Sequence, residues 1–151
     1  MRIALFPGTF DPMTKGHTDI LNRALPLFDK IVVGIGVNSN KQPMFSLDQR
    51  MAWIREIYQK ESKVEVSSYE GLTIHFCEKI QASYILRGIR SIGDFEYEKA
   101  IADMNRILKP DLETIFIACS PEYSFYSSTI VRDVIRNGGD YHSFLPSEVK
   151  I

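Results

Sequence analysis

The sequence contains little cysteine: Cys77 and Cys119 are the only two among 151 residues, and they lie far apart. Without a CxxC pair they do not suggest a disulfide framework or a zinc site, so we expect buried thiols in a reducing compartment. Apolar runs are short, and none approaches the roughly 18 residues of a membrane span. Charged Asp11 and Lys15 soon follow the first apolar run, unlike a signal peptide, so we expect a cytoplasmic protein.

An excess of charge of one sign is also lacking, as are the common nucleotide-binding motifs. The formal net charge is −1, so the overall field does not favour nucleic acid or a membrane surface, and any anion site must be local. No GxxxxGK[ST] sequence occurs, and GIGVNS from Gly34 lacks the third glycine of a dinucleotide fingerprint. Asp94, Glu96 and Glu98 do not have the spacing of a metal cage, so we predict no metal site built by side chains.

Strands and helices alternate along the chain, which predicts an α/β fold. The predicted strands are 3–6, 31–37, 64–68, 84–86 and 114–118, and the predicted helices are 17–25, one after Ser46, 73–80, 94–108 and 127–136. A short helical turn is expected near Pro146. We therefore expect residues 1–151 to form a single domain with a doubly wound, five-stranded parallel sheet. Its ligands should bind beyond the C-terminal strand ends, where the strand order reverses.

The loop after the first strand, Pro7 to Gly16 within the stretch FPGTFDPMTKGH, places His17 at the expected start of a helix. The free N–H groups and the dipole of a helix start favour an anion there. A histidine beside a phosphate can donate a hydrogen bond that strengthens as charge develops on the oxygens. Taken alone, His17 fits a solvated helix start equally well.

Other strand ends supply further groups suited to phosphate. RGIRSIGD carries Arg87 and Arg90, whose planar forks match phosphate oxygens. SPEYSFYSST ends in three hydroxyls, Ser127 to Thr129, of which helix capping explains only one. Lys41 adds a charge after the second strand. No cysteine or serine has an evident base beside it, so the set favours phosphoryl or nucleotidyl transfer by positioning and electrostatics.

Two of these stretches resemble known motifs. PGTFDPMTKGH resembles the T-x-G-H-type motif of the nucleotidyltransferase superfamily, and SSTIVR at 127–132 resembles its second motif. Three further stretches narrow the choice among members of that superfamily: KQPMFSLDQR, ILRGIRSIGDFEYE and MNRILKPDLETIF. Together with the two motifs they are similar to the bacterial phosphopantetheine adenylyltransferase family, and the similarity extends over nearly the whole chain. The resemblance implies a Rossmann-like nucleotidyltransferase fold.

The resemblance also implies a reaction and its partners. ATP and 4′-phosphopantetheine would give dephospho-coenzyme A and pyrophosphate, the penultimate step of coenzyme A biosynthesis. The implied cofactor is Mg²⁺, held mainly through the ATP phosphates and water. A homohexamer is implied, and coenzyme A is a candidate inhibitor.

The resemblance also assigns roles to individual residues, position by position where this sequence matches the family's motifs. The implied catalytic residues are His17, which would stabilise charge on the transferring phosphate, with Lys41, Thr9 and Arg90. The implied phosphopantetheine contacts are Thr9, Lys41, Thr73 and Arg87. The implied ATP contacts are Thr9, Phe10, His17, Gly88, Ile89, Arg90, Glu98, Tyr123, Ser124, Phe125, Tyr126, Ser127, Ser128 and Thr129. Thr73 and Glu98 rest on the resemblance alone.

Two other functions stay open at this point. A related adenylyl- or cytidylyltransferase would act on another phosphate, such as nicotinamide mononucleotide, although RGIRSIGDFEYE argues against it. A nucleotide-binding regulator would keep the fold without turnover. The presence of His17, Lys41 and Arg87 argues against a regulator, because binding alone needs no group placed for a transition state.

Overall fold

The computed structural model describes all 151 residues. Its strands are β1 Ile3–Gly8, β2 Lys30–Val37, β3 Val64–Glu70, β4 Tyr84–Ile89 and β5 Glu113–Ala118. Its helices are α1 Lys15–Ala24, α2 Leu47–Ile57, α3 Thr73–Lys79, α4 Ile92–Leu108 and α5 Ser128–Arg136, with 3₁₀ turns at Leu25–Leu27, Pro121–Tyr123 and His142–Phe144. None of these helices combines the length and the apolar composition that spanning a lipid bilayer requires.

All five strands are parallel and lie in the order β3-β2-β1-β4-β5. The chain runs outward from β1 in one direction and then returns to its other side, so the strand order reverses between β1 and β4. This confirms the predicted doubly wound, five-stranded sheet. The reversal leaves a crevice beyond the C-terminal ends of the central strands, where ligands of such sheets bind.

The sheet is buried on both faces, which explains why its central strands are continuous apolar runs. Side chains alternate between the faces along β1. Ala4 and Phe6 join the core cluster shared with α1 and α2, whereas Ile3 and Leu5 join the one shared with α3. A third cluster holds the C-terminal segment, where Leu145 and Val149 pack on Val131 of α5.

Several element boundaries differ from the sequence prediction: β1 continues to Gly8, β3 continues to Glu70, and α4 begins at Ile92. β4 continues through Arg87 to Ile89 because residues 87–89 pair with Phe116, Ile117 and Ala118 of β5. α1 begins at Lys15, so His17 is its third residue, since Thr14 is the N-cap. The helical turn expected near Pro146 lies earlier, at His142–Phe144.

Candidate active site

A cavity of about 750 Å³ opens at the C-terminal ends of the strands. Its walls come from the end of β1 and the loop after it, the loop after β2, the end of β4 and the start of α5. Twelve of the implied site residues line it: Thr9, Phe10, His17, Lys41, Arg87, Gly88, Arg90, Glu98, Tyr126, Ser127, Ser128 and Thr129. Residues distant in the sequence therefore meet at the edge where the strand order reverses.

The other implied residues lie elsewhere. Thr73 lines a smaller neighbouring cavity of about 270 Å³, where its hydroxyl lies 3.0 Å from the Tyr69 hydroxyl. The walls of neither cavity include Ile89, Tyr123, Ser124 or Phe125. Tyr123 packs edge-to-face on Tyr126, and the Phe125 ring is exposed.

His17 is oriented by the first turn of its own helix. Thr14 caps α1, and the Thr14 backbone N–H donates to Nδ1 of His17 over 3.0 Å. Nδ1 is thus the acceptor nitrogen, so the neutral ring carries its proton on Nε2. The buried Phe10 ring packs edge-to-face on the imidazole, with 5.1 Å between ring centroids. The cavity therefore receives a histidine with a fixed tautomer and one N–H to donate.

The surroundings of His17 keep the ring neutral. Burial, followed by the nearby charges of Arg90 and Arg87, lowers the pKa of His17 from 6.5 to about 4. Near neutral pH the imidazole therefore donates a hydrogen bond without carrying charge or taking a proton. This arrangement suits stabilisation of a negatively charged transition state more than general-base catalysis.

We expect His17 to titrate near pH 4 in the folded protein, as measured from its imidazole NMR signals. An acid limb near pH 6 in kcat/KM would then belong to a substrate phosphate, whose second pKa is about 6. In the unfolded chain His17 takes up a proton near pH 6.5, so the free energy of unfolding falls as pH drops from about 6.5 to 4. A folded-state pKa near 6.5 would contradict this assignment.

The cavity concentrates positive charge although the whole chain is slightly acidic. Six cationic side chains line it against three carboxylates, Asp11, Asp94 and Glu98. Arg50, Arg132 and Arg136 are cations that the sequence analysis did not place in the site. The basic end of SSTIVR was a usable signal for Arg132, which lies one helical turn from Ser128. The local excess supplies the anion site that the net charge did not reveal.

Asp11 anchors the loop that carries Lys41 to the loop between β1 and α1, residues 9–14 (the first-motif loop). The two Asp11 carboxylate oxygens accept the backbone N–H groups of Met44 and Phe45 over 2.8 and 2.9 Å. Arg50 adds bonds to the Thr9 and Phe45 carbonyls over 2.8 and 3.0 Å. Asp11 and Arg50 are both buried. They hold the Lys41 loop beside the loop that carries Thr9.

The three hydroxyls at the start of α5 have different partners within the protein. Ser127 is the N-cap and accepts the Ile130 N–H, Ser128 donates to the Pro12 carbonyl, and Thr129 accepts from Arg132. The expectation that helix capping explains only one hydroxyl is correct. The other two connect the second motif to the first-motif loop and to Arg132, while all three still line the cavity.

The comparisons with known proteins agree with this geometry. A cytidylyltransferase-like family model matches residues 5–134. A bifunctional NMN adenylyltransferase/ADP ribose pyrophosphatase from Francisella tularensis superposes with a TM-score of 0.72 over 97% of this chain and 45% of its own, at 18% identity. A lipopolysaccharide core biosynthesis protein from Thermoplasma volcanium covers 80% of this chain and 97% of its own, with a TM-score of 0.56 and 20% identity. Their likeness shows the fold alone, whereas the family model places the chain among the cytidylyltransferase-like proteins.

Relatives of higher sequence identity identify the family within this class. Proteins named phosphopantetheine adenylyltransferase are 55% identical in Flavobacterium psychrophilum and 52% identical in Flavobacterium johnsoniae, each over all of this chain and 99% of the relative. A third, from Christiangramia forsetii, is 48% identical over 99% of both chains. The chain belongs to the phosphopantetheine adenylyltransferase family.

Proposed function

We propose that the protein transfers the adenylyl group of ATP to 4′-phosphopantetheine in the larger cavity, giving dephospho-coenzyme A and pyrophosphate. The full-length likeness to phosphopantetheine adenylyltransferases, at up to 55% identity, carries the choice of reaction. The neutral His17 beside a cluster of cations supports it independently, because that set suits transfer between two phosphate-bearing substrates.

In the proposed mechanism an oxygen of the acceptor phosphate attacks the α-phosphorus of ATP directly. A new P–O bond forms, the bond from the α-phosphorus to the bridging oxygen of the β-phosphate breaks, and pyrophosphate leaves with that electron pair. His17 donates its Nε2–H to an α-phosphate oxygen, where negative charge grows in the transition state. Thr9 and Lys41 orient the attacking phosphate.

The two phosphate-bearing substrates need separate charge partners, and the arginines at the end of β4 supply them. We assign Arg87 to the acceptor phosphate and Arg90 to the ATP phosphates. No covalent intermediate is needed. Cys77 is buried as expected, but Cys119 is only partly buried and lines the cavity. That partial burial still raises the pKa of the Cys119 thiol, so the thiol stays protonated and is a poor nucleophile.

The carboxylates around the cavity bear on how Mg²⁺ would be held. Asp11 accepts backbone N–H groups, Asp94 pairs with Arg90, and Glu98 pairs with Arg87. Because each is engaged, we propose that the triphosphate oxygens and water hold the ion. Bound in this way, Mg²⁺ would neutralise part of the charge on the phosphates.

The test is pyrophosphate release from ATP and Mg²⁺ with 4′-phosphopantetheine, with nicotinamide mononucleotide, or with no acceptor. We expect release only with 4′-phosphopantetheine. Release with nicotinamide mononucleotide alone would keep the transfer chemistry and change the acceptor. Absence of release with folded, ATP-binding protein would favour a binding role.

Arg87→Ala should weaken the binding of 4′-phosphopantetheine more than the binding of ATP. We expect the KM for the acceptor to rise by about tenfold or more, because charge-assisted bonds to its phosphate are lost. The KM for ATP should change by no more than about twofold, since Arg90 remains. Steady-state kinetics with each substrate varied in turn measures both constants.

Arg23→Ala is the control for that variant, because Arg23 bonds to the end of β5 outside both cavities. An equal rise of both KM values in Arg87→Ala would remove the assignment of Arg87 to the acceptor.

We also propose that copies of this chain associate through α4, in a homohexamer as the family resemblance implies. That helix carries an exposed apolar surface formed by Ile92, Tyr97, Met104, Ile107 and Leu108. An apolar surface of this kind supports burial against another copy of the chain. Light scattering coupled to size exclusion tests the assembly. Coenzyme A would inhibit by occupying the substrate cavities, and its competition with both substrates tests that part.

A further inference from the structure

Helix α4 presents two carboxylates, one turn apart, to the end of β4. Asp94 accepts from Nε of Arg90 over 3.2 Å, and the same oxygen accepts the Arg90 backbone N–H over 3.0 Å. Glu98 accepts from Nε and Nη2 of Arg87 over 2.8 and 2.6 Å. Each arginine assigned to a substrate phosphate therefore has its own carboxylate on the same helix.

The two arginines are held in different ways. Arg87 uses three of its five N–H groups within the protein, since Nη1 also donates to the Pro7 carbonyl over 2.6 Å. One N–H on each terminal nitrogen of Arg87 is left for a ligand. Arg90 uses only Nε within the protein, so its two terminal nitrogens are available to a ligand.

The two pairs also occupy different places. Arg87 and Glu98 line both cavities, so they stand where the larger cavity meets the smaller one that contains Thr73. Arg90 and Asp94 line the larger cavity only. A substrate that extends from one cavity into the other passes the first pair, whereas a substrate confined to the larger cavity meets the second.

We propose that Glu98 and Asp94 are positioning residues that direct the two arginines to different substrates. Glu98 acts through Arg87 on 4′-phosphopantetheine, and Asp94 acts through Arg90 on ATP. Both Glu98 oxygens accept from Arg87, so Glu98 reaches the acceptor phosphate through that arginine. This inference rests on the proposed function.

Two effects of each carboxylate oppose one another. A carboxylate reduces the positive potential that attracts phosphate, but it also fixes a guanidinium that would otherwise sample many rotamers. Charge effects are weakened in a cavity that is open to solvent, whereas misdirected N–H groups lose their bonds to the ligand outright. Removing the carboxylate should therefore weaken binding of the substrate its arginine serves.

The test compares Glu98→Gln with Asp94→Asn, which remove charge with little change of shape. We expect Glu98→Gln to raise the KM for 4′-phosphopantetheine by about five- to twentyfold and the KM for ATP by less than about twofold. Asp94→Asn should show the reverse pattern. Asp103→Asn is the control, because Asp103 pairs with Lys99 on the same helix outside both cavities.

Glu98→Asp separates orientation from charge, since it keeps the charge but shortens the side chain. We expect it also to raise the KM for the acceptor, and a wild-type value would show that charge alone matters and overturn the proposal. Equal shifts of both KM values in Glu98→Gln, or a lowered KM for the acceptor, would overturn it as well. Thermal melts of each variant show whether loss of folding explains a change.

Calorimetric measurement of the binding of each substrate distinguishes a failure of the proposed positioning roles from a failure of the proposed function. A wild-type protein that turns over both substrates, with variants that do not separate them, overturns the positioning roles alone. A wild-type protein that binds neither substrate overturns both proposals.

Discussion

His17→Ala is expected to lower kcat by about 10²–10³ while changing the KM for ATP by only a few fold. The imidazole is neutral near pH 7 because its pKa is lowered to about 4, so it binds ground-state phosphates weakly. Its Nε2–H gains strength as a donor when charge builds up on the transferring phosphate. Loss of a donor that acts mainly in the transition state reduces kcat more than affinity. Single-turnover and steady-state rates at saturating substrates measure the effect.

Two variants keep this prediction interpretable. His17→Gln retains an N–H near the position of Nε2 and should recover part of the lost rate. His142→Ala removes an exposed histidine outside the cavity and should leave kcat unchanged. Because His17 also accepts the Thr14 N–H at the start of α1, circular dichroism must show that His17→Ala is folded. A folded variant with unchanged kcat would remove His17 from catalysis.

Features of the site that depend on local sequence could be predicted. The first strand, the turn residues after it and the histidine beyond them identified the His17 loop, and the capping box at Ser46 and Gln49 has both of its bonds. The end of β4 could not be placed in this way. Arg87, Gly88 and Ile89 belong to the strand because they pair with β5, and nothing in RGI itself reveals that partner.

Contacts between distant residues account for most of what the sequence analysis missed. Asp11 and the amide of Met44 are 33 positions apart, and Arg50 lies 41 positions from the Thr9 carbonyl it binds. Such pairs have no periodic signal, since the fold alone brings them together. Asp11 therefore appeared in the sequence only as a charge in a turn, although it anchors the Lys41 loop.

Asp11→Ala is expected to lower the free energy of unfolding by roughly 3–5 kcal/mol, as when one partner of a buried charged network is lost. It leaves the Met44 and Phe45 N–H groups without their acceptor and removes the carboxylate that pairs with Arg132 over 3.9 Å. We also expect kcat/KM to fall by about tenfold or more, because the Lys41 loop loses two of its bonds to the first-motif loop. Urea unfolding and steady-state kinetics measure the two effects.

Asp11→Asn distinguishes the charge from the hydrogen bonds. An asparagine oxygen accepts one of the two N–H groups while its amide meets the other as a second donor, so we expect a loss of stability close to that of alanine. Asp29→Ala is the control, since Asp29 is an exposed carboxylate that also accepts a backbone N–H. Wild-type stability in Asp11→Ala would mean that water replaces the carboxylate at Met44 and Phe45. Wild-type kcat/KM would show that Lys41 reaches its substrate without this anchor.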